Sequence, residues 1–184
     1  MTAQDVLDFW FNQPPANWFR KNADFDTEVR TRFGATIDVA LGGGLHDWDE
    51  EGATGVLARL LVLDQFTRNA FRNTPASFAG DALALAAAVM LVDSGAHLSL
   101  TPQQRSFAYM PFEHAEDAAM QEKAIALFTA LTTEDDSFAD SLDFAHRHAK
   151  VIARFGRFPH RNSILGRTST PEETAFLTEP GSGF

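Results

Sequence analysis

Leu57-Ala58-Arg59-Leu60-Leu61-Val62-Leu63 is apolar at every position but Arg59 and lacks the two-residue alternation of a half-buried strand. A helix of this composition is oily on every side, so it has to lie at the centre of a helical assembly, over about residues 53 to 71. Upstream, Phe25, Val29, Phe33, Ile37 and Ala40 recur at intervals of three and four, which predicts a helix from about Asp24 to Leu41. Gly42-Gly43-Gly44 ends it, because three residues without Cβ lose too much backbone entropy to stay helical. Nearer the start, Thr2 and Asp5 have capping-box spacing ahead of Val6, Leu7, Phe9, Trp10 and Phe11, and Pro14-Pro15 closes that segment.

Downstream, Asp81 is expected to cap a helix from Ala82 to Val92 that stops near Ser94-Gly95. Thr101-Pro102 opens a short helix that Pro111 should interrupt. Met120, Ala124, Leu127, Phe128 and Leu131 form the next apolar stripe, a longer helix runs from about Ser137 to Phe155, and Thr170-Pro171-Glu172-Glu173 is a second capping box starting a helix over 171 to 177. No stretch reads as a strand. The expectation is an all-α fold of about eight helices with short connections, packed as an irregular stack of helical hairpins.

The 184 residues suit one domain, 1–184, and the 45% hydrophobic content with a mean hydropathy of -0.17 suits a soluble one. Fifteen Lys and Arg stand against 25 Asp and Glu, a formal charge of -10, which disfavours nucleic-acid or membrane-surface partners. With no cysteine there is no disulfide, thiolate nucleophile or cysteine-ligated metal. No apolar run reaches the roughly 18 residues of a membrane span, and no basic segment precedes an apolar one as in a signal peptide. The cytoplasm is the expected location.

Charge is nevertheless segregated. From Phe144 to Thr170 there is no acidic residue, while Arg147, Lys150, Arg154, Arg157, Arg161 and Arg167 are basic; taking that +6 out of the -10 leaves -16 for the rest. Guanidinium forks suit carboxylate or phosphate. The loop Gly156-Arg157-Phe158-Pro159-His160-Arg161-Asn162 is the place where such donors need not serve a helix face. In the helix before it, His148 points inward in a sector with Phe144, Val151 and Phe155, and His146 lies about 200° away, so the two cannot ligate one metal together.

Asp64, Arg68 and Arg72 fall at i, i+4 and i+8, with Gln65 and Asn69 alongside. Because they continue an all-apolar run, part of this ridge should be enclosed and its charges partnered. The Arg157–Asn162 loop is the expected partner, as a buried ion lattice or as the wall of a polar pocket. Gln65-Phe66-Thr67-Arg68-Asn69 and Arg157-Phe158-Pro159-His160-Arg161-Asn162 also echo each other, which suggests similar work. His114, Glu116 and Asp117 offer an imidazole with carboxylates; if helix continued through residue 114, His114, Asp117 and Gln121 would share one edge. Two such ligands are not a metal site, and neither a Gly-x-Ser-x-Gly elbow nor a phosphate loop is present.

Four strings together resemble a known family. They are Val6-Leu7-Asp8-Phe9-Trp10-Phe11 with Trp18-Phe19; Leu63-Asp64-Gln65-Phe66-Thr67-Arg68-Asn69-Ala70-Phe71-Arg72; Tyr109-Met110-Pro111-Phe112-Glu113-His114-Ala115-Glu116-Asp117; and Arg154 through Asn162 continuing to Leu165-Gly166-Arg167. The chain resembles the mainly bacterial domain of unknown function 924 family, over nearly its whole length, with Thr67 where that family usually has proline. The resemblance implies a tetratricopeptide-like helical architecture and no assigned reaction.

Three functions compete on these residues. In the leading one, Asp64, Gln65, Arg68, Asn69, Arg72, His114, Arg157, His160, Arg161, Asn162 and Arg167 line a pocket for a small anion or an acidic peptide end. In the second, His114 or His160 acts there as acid or base, oriented by Glu116 or Asp117, in hydrolysis or group transfer. In the third, the charges pair internally and Trp10, Phe11, Trp18 and Phe19 form an aromatic surface for another protein or a second copy. No cofactor or metal is expected in any of them.

Overall fold

The stripe Phe25, Val29, Phe33, Ile37 and Ala40 is buried at every member, on a helix that begins one residue earlier than its pattern suggested, at Ala23. The computed structural model describes residues 1–183, and among them there is no strand. Ten α-helices follow in order: α1 (Ala3–Phe11), α2 (Pro15–Phe19), α3 (Ala23–Leu41), α4 (Ala53–Leu61), α5 (Thr67–Ala70), α6 (Asp81–Asp93), α7 (Pro102–His114), α8 (Ala118–Glu134), α9 (Ala139–Phe155) and α10 (Pro171–Phe176). The fold is all-α. The two helices beyond the expected eight have simple causes: Pro15 starts a short helix where the Pro pair was read only as a stop, and the central helix is divided in two. The residues form two compact units, Met1–Arg72 with Ala76–Pro111, and Asn73–Pro75 with the described residues from Phe112 onward.

In the first unit α4 packs against α1, α6 and the 3-10 turn His46–Glu51. Its interior is aromatic, which accounts for the excess of Phe. Phe33 lies 4.7 Å from both Phe9 and Phe66, and Trp10 lies 5.5 Å from both Phe66 and Phe107. Each buried ring contributes roughly 2 kcal/mol. After Leu61 the central helix makes one π turn, Val62–Phe66, before α5 resumes. The extra residue loosens the carbonyl ladder, and Thr67 Oγ1 donates to the Leu63 and Asp64 carbonyls at 2.8 and 3.2 Å. The start of α6 lies directly on this turn: a Cβ at Gly80 would run into the Leu63 carbonyl, so only glycine fits there.

Several local expectations change in this unit. Gly80, not Asp81, occupies the N-cap of α6, which frees the Asp81 carboxylate for an arginine. Pro111 does not interrupt α7; it sits in the last turn, where its missing N–H removes one bond to the preceding turn and the helix still runs on to His114. The proposed aromatic surface is also incomplete. Trp10 is fully buried, Phe11 and Trp18 are half-buried, and only Phe19 stands out, at 67% exposure. The stretch Pro75–Asp93 has the length and hydropathy of a membrane span, but its helical part α6 is 13 residues, about 20 Å, against a hydrocarbon thickness of about 30 Å.

In the second unit α8 and α9 pack together, joined through Asp135 and a 3-10 turn, Asp136–Phe138. Gln121, Ala124, Phe128 and Leu131 are the buried face of α8, with Met120 and Leu127 at its margin. On α9 the buried positions are Ala145, His148, Val151 and Ile152. Phe144 corrects the expected inward sector. It is 45% exposed and carries the Arg147 guanidinium 4.8 Å above its ring. Gly156 ends α9 in the left-handed conformation, φ 68°, and turns the chain into the loop that leads to α10. Phe158 is buried with Val151 and Ile152, and Phe155 and Phe176 pack against them, their ring centroids 5.0 Å apart.

Candidate functional site

The polar ridge of the first unit lies in and after the π turn, and the expected enclosure is present: Asp64, Gln65 and Asn69 are buried. Arg68 Nη1 donates to the Asp64 carbonyl at 2.7 Å and stands 2.9 Å from Asp64 Oδ1 and 2.9 Å from Asp81 Oδ1. One guanidinium therefore faces two carboxylates. The Gln65 amide donates to Asp64 Oδ2 and to the Met110 sulfur. Arg72 leaves the ridge, since α5 ends at Ala70. It makes a bidentate pair with Asp26 at 2.6 and 2.8 Å, and Asn69 Nδ2 adds a third bond to that carboxylate at 2.7 Å. Burial opposes the Asp26 charge, but the bonds from Arg72 and Asn69 outweigh it and hold the carboxyl below its ordinary range.

In the second unit the loop residues Arg157 and Arg167 are fastened to carboxylates. Arg157 meets Glu173 Oε1 and Oε2 at 2.6 and 2.8 Å, and the same carboxylate accepts the Thr170 N–H at 2.7 Å and Asn162 Nδ2 at 3.3 Å. The bonds from Arg157 press the Glu173 carboxyl down to about 2. Arg167 grips Glu116 at 2.6 and 2.9 Å; its Nε donates to Asn162 Oδ1 at 2.9 Å, and Nη2 also donates to the Phe158 carbonyl at 3.1 Å. Glu116 Oε1 takes the Phe158 N–H at 2.8 Å. Arg157, Asn162 and Arg167 thus tie the 156–170 loop and α10 to the residues before α8. For these three the arrangement is a fastening lattice.

A different set gathers about the buried ring of Phe158. The Arg161 guanidinium, on a residue only 6% exposed, lies 4.6 Å above it. The His148 ring meets it edge-on at 5.4 Å and the His160 ring lies 5.6 Å away, while His114 stands 6.3 Å from His148. His148 Nδ1 is 2.8 Å from the Phe144 carbonyl, so in the neutral ring Nδ1 carries the proton and Nε2 can only accept. Burial, reinforced by His114, drops His148 to about 3; burial, reinforced by Arg161, drops His160 to about 4. Both imidazoles are neutral at pH 7 beside a buried cation.

Asp117 is placed elsewhere. α7 stops at His114, and Asp117 is the N-cap of α8, accepting the Met120 N–H at 3.0 Å. It shares no helix edge with His114. Gln121 does approach His114 closely in the fold: its Nε2 donates at 2.7 Å to both Glu113 O and Ala115 O, the carbonyls that flank it. Sequence reasoning noted Gln121 only as a neighbour and read Glu173 only as a cap. The signal for Gln121 was a polar residue on an otherwise apolar stripe. Among the described residues no group of three or more His, Asp or Glu side chains is disposed to hold a metal ion.

The chain is similar to a solved structure titled "Structure of Protein of Unknown Function ATU0120 from Agrobacterium tumefaciens", at 41% identity and a TM-score of 0.87, over 96% of each chain. No curated protein matches it. The family described as "Bacterial protein of unknown function (DUF924)" matches residues 6–181, nearly the span of the four strings and of both units, and the chain belongs to that family.

Proposed function

We propose that the second unit binds a small oxyanion, a carboxylate or phosphate group, at Arg161 with His160 and His114 beside it. One observation carries the reading: a guanidinium 6% exposed and stacked on Phe158, beside the His160 imidazole, which is too weakly basic to add charge of its own. Such a buried cation attracts an anion far more strongly than a solvated one, because little water screens it. Arg157, Asn162 and Arg167 contribute indirectly by holding the loop that presents Arg161. An acidic peptide end is recognised by the same chemistry. The chain works in this reading as a tetratricopeptide-like binding protein of the cytoplasm.

Calorimetric titration with acetate, phosphate and sulfate tests it. At least one anion should bind wild type and fail to bind Arg161→Gln, whereas Arg157→Ala should keep the binding and lose thermal stability. Equal binding by wild type and Arg161→Gln, or no binding to wild type, rejects the reading.

An acid–base role for the same imidazoles is the second reading. What favours it is that His160 is neutral at pH 7 and so able to take a proton. A phosphatase and esterase panel should then show turnover that His114→Ala or His160→Gln abolishes with the helical signal intact; turnover unchanged in both variants rejects it.

A further inference from the structure

Between Asp81 and Asp93, α6 is built only of Ala, Leu, Val and Met, the same all-round apolar character that set α4 at the centre of its unit. Only one side of α6 is covered. Ala84, Ala87, Ala88, Leu91 and Val92 are buried, whereas Ala82, Leu83, Ala86 and Met90 are exposed and Val89 is half-buried. Met90 stands 55% in solvent. At about 100° per residue these five lie within about 60° of the Ala86 direction, so they form one continuous uncharged strip that ends at Asp93. An apolar strip of this kind on an acidic surface marks a contact face.

Lipid is a poor cover for it. Helices that lie on a bilayer carry Lys or Arg beside the apolar face, and here no Lys or Arg occurs from Asn73 to Gln104. A second copy fits better, because the strip matches itself when turned end for end. With a two-fold axis at Ala86 and the helices antiparallel, Ala86 meets Ala86, Leu83 meets Met90 and Ala82 meets Val89. Each outer contact sets a smaller side chain on a larger one, and the alanines at the axis let the helices close to about 8 to 10 Å. A parallel pairing would set Met90 on Met90 and Ala82 on Ala82. The charges agree with the antiparallel sense: Asp81 lies on the other side of α6, 2.9 Å from Arg68, and Asp93 falls opposite Ala79 and Gly80 at the positive end of the second copy's helix. A cavity of about 380 Å³ opens beside the strip, walled in part by Val56, Met90, Leu91 and Ala96, and Leu83 of the second copy arrives at its Met90 edge.

We infer that the outer face of α6 is a self-association surface, through which two copies of the chain pair antiparallel with Ala86 on Ala86. The inference is independent of the oxyanion reading. Thirteen residues make a helix about 20 Å long, and a contact of that length falls below the roughly 1,200 Å² of a stable interface. The pairing is therefore weak, with a Kd of about 100 μM.

Sedimentation velocity of the whole chain, from about 10 μM to about 1 mM, tests it. The mean mass should climb from 20.2 kDa toward twice that value. Leu83→Glu and Met90→Lys should each abolish the rise, and an equimolar mixture of the two variants should restore it, because the register sets the new carboxylate of one against the new ammonium of the other. Oxidative crosslinking locates the axis. The chain has no cysteine, so Ala86→Cys supplies one thiol per copy and should form a disulfide dimer about tenfold faster than Ala82→Cys. Wild type that stays at 20.2 kDa throughout overturns the inference, and cosedimentation of that monomer with phosphatidylcholine vesicles would give the face to lipid instead. Association that survives both charged variants, or equal crosslinking at residues 82 and 86, overturns it as well. Should either charged variant fail to fold, the two cysteine variants, both at exposed alanines, still decide.

Discussion

Replacing Glu173 by Gln tests the lattice that holds the loop. The wild-type side chain is 3% exposed and its carboxylate accepts four bonds: two from Arg157, one from the Thr170 N–H and one from Asn162. Glutamine keeps one acceptor oxygen and turns an amide N–H₂ toward a guanidinium, so at least one charge-assisted bond is replaced by donor facing donor. Breaking a fully buried pair from one side costs about 3 to 5 kcal/mol. The Arg157 side chain is 30% exposed and can recover water, which brings the expected loss to about 2 to 3 kcal/mol. With a urea m-value of about 2 to 3 kcal/mol/M, the midpoint should fall by about 1 M. The probe has to be helical circular dichroism, since Trp10, Trp18 and Trp48 all lie in the first unit and their fluorescence does not report on the second. Glu173→Gln made on top of Arg157→Met should cost much less than on wild type, because the partner is already gone. The pH dependence has a definite sign. Glu173 titrates near 2 when folded against an ordinary 4.5, so on acidification the unfolded chain takes up the proton first, and this stability is lost between about pH 4.5 and 2. A midpoint shift under about 0.3 M, or an additive double variant, would refute the lattice.

Four further outcomes follow from the same contacts. Histidine NMR titration should find the His148 and His160 rings neutral down to pH 5; because their folded values lie below 6.5, stability declines as pH falls from 6.5 toward 4, and His148→Phe should flatten that slope. Gly80→Ala should cost more than about 2 kcal/mol in urea unfolding, as its methyl has to displace the Leu63 carbonyl at the π turn. Asp26→Asn should lower stability by about 1 to 2 kcal/mol through Arg72 and Asn69, and the wild-type advantage should vanish at low pH as Asp26 protonates. Thr170→Ala should cost about 1 kcal/mol, the worth of an N-cap bond to the Glu173 N–H.

The fold was legible wherever burial follows a helical period. Phe25 to Ala40, the capping boxes at Thr2 and Thr170 and the glycine stop after Leu41 all appear as their spacing implied. What periodicity misses is a change of period. The π turn at Val62–Phe66 carries no sequence mark of its own, because the run leading into it is apolar on every side and fixes no helical phase, and all five of its residues, Asp64 and Gln65 included, are buried. Arg72 left the Asp64 ridge because α5 ends at Ala70, and it pairs with Asp26, a partner 46 residues away. Phe144 failed for a different reason: its angle placed it near the buried arc, but an aromatic ring at the margin can stay in water under an arginine. Among the candidate site residues, spacing showed which were charged and enclosed, and it could not show which carboxylate each arginine would take. Glu173 was the missing partner, and a capping box looks the same whether or not its glutamate also holds an arginine.

The echo between the Gln65–Asn69 and Arg157–Asn162 segments suggested that both hold anions, and the two units now weigh that suggestion differently. Each segment contributes one fully buried phenylalanine, Phe66 or Phe158, and that shared apolar anchor is enough to account for the similarity. Around Phe66 the ridge arginine faces Asp64 and Asp81, two negative groups on one positive, an arrangement that repels a further anion at close range. Around Phe158 the carboxylates Glu116 and Glu173 accept from Arg167 and Arg157, and the Arg161 guanidinium lies over the ring beside imidazoles whose neutrality its own charge helps maintain. An anion arriving there would reverse that effect. It would make His160 more basic, so binding should draw in protons and strengthen as pH falls from 7 to 5. Titrations in buffers of different ionisation enthalpy would expose that uptake, and heats identical in all buffers would show that the anion, wherever it sits, does not sit beside His160.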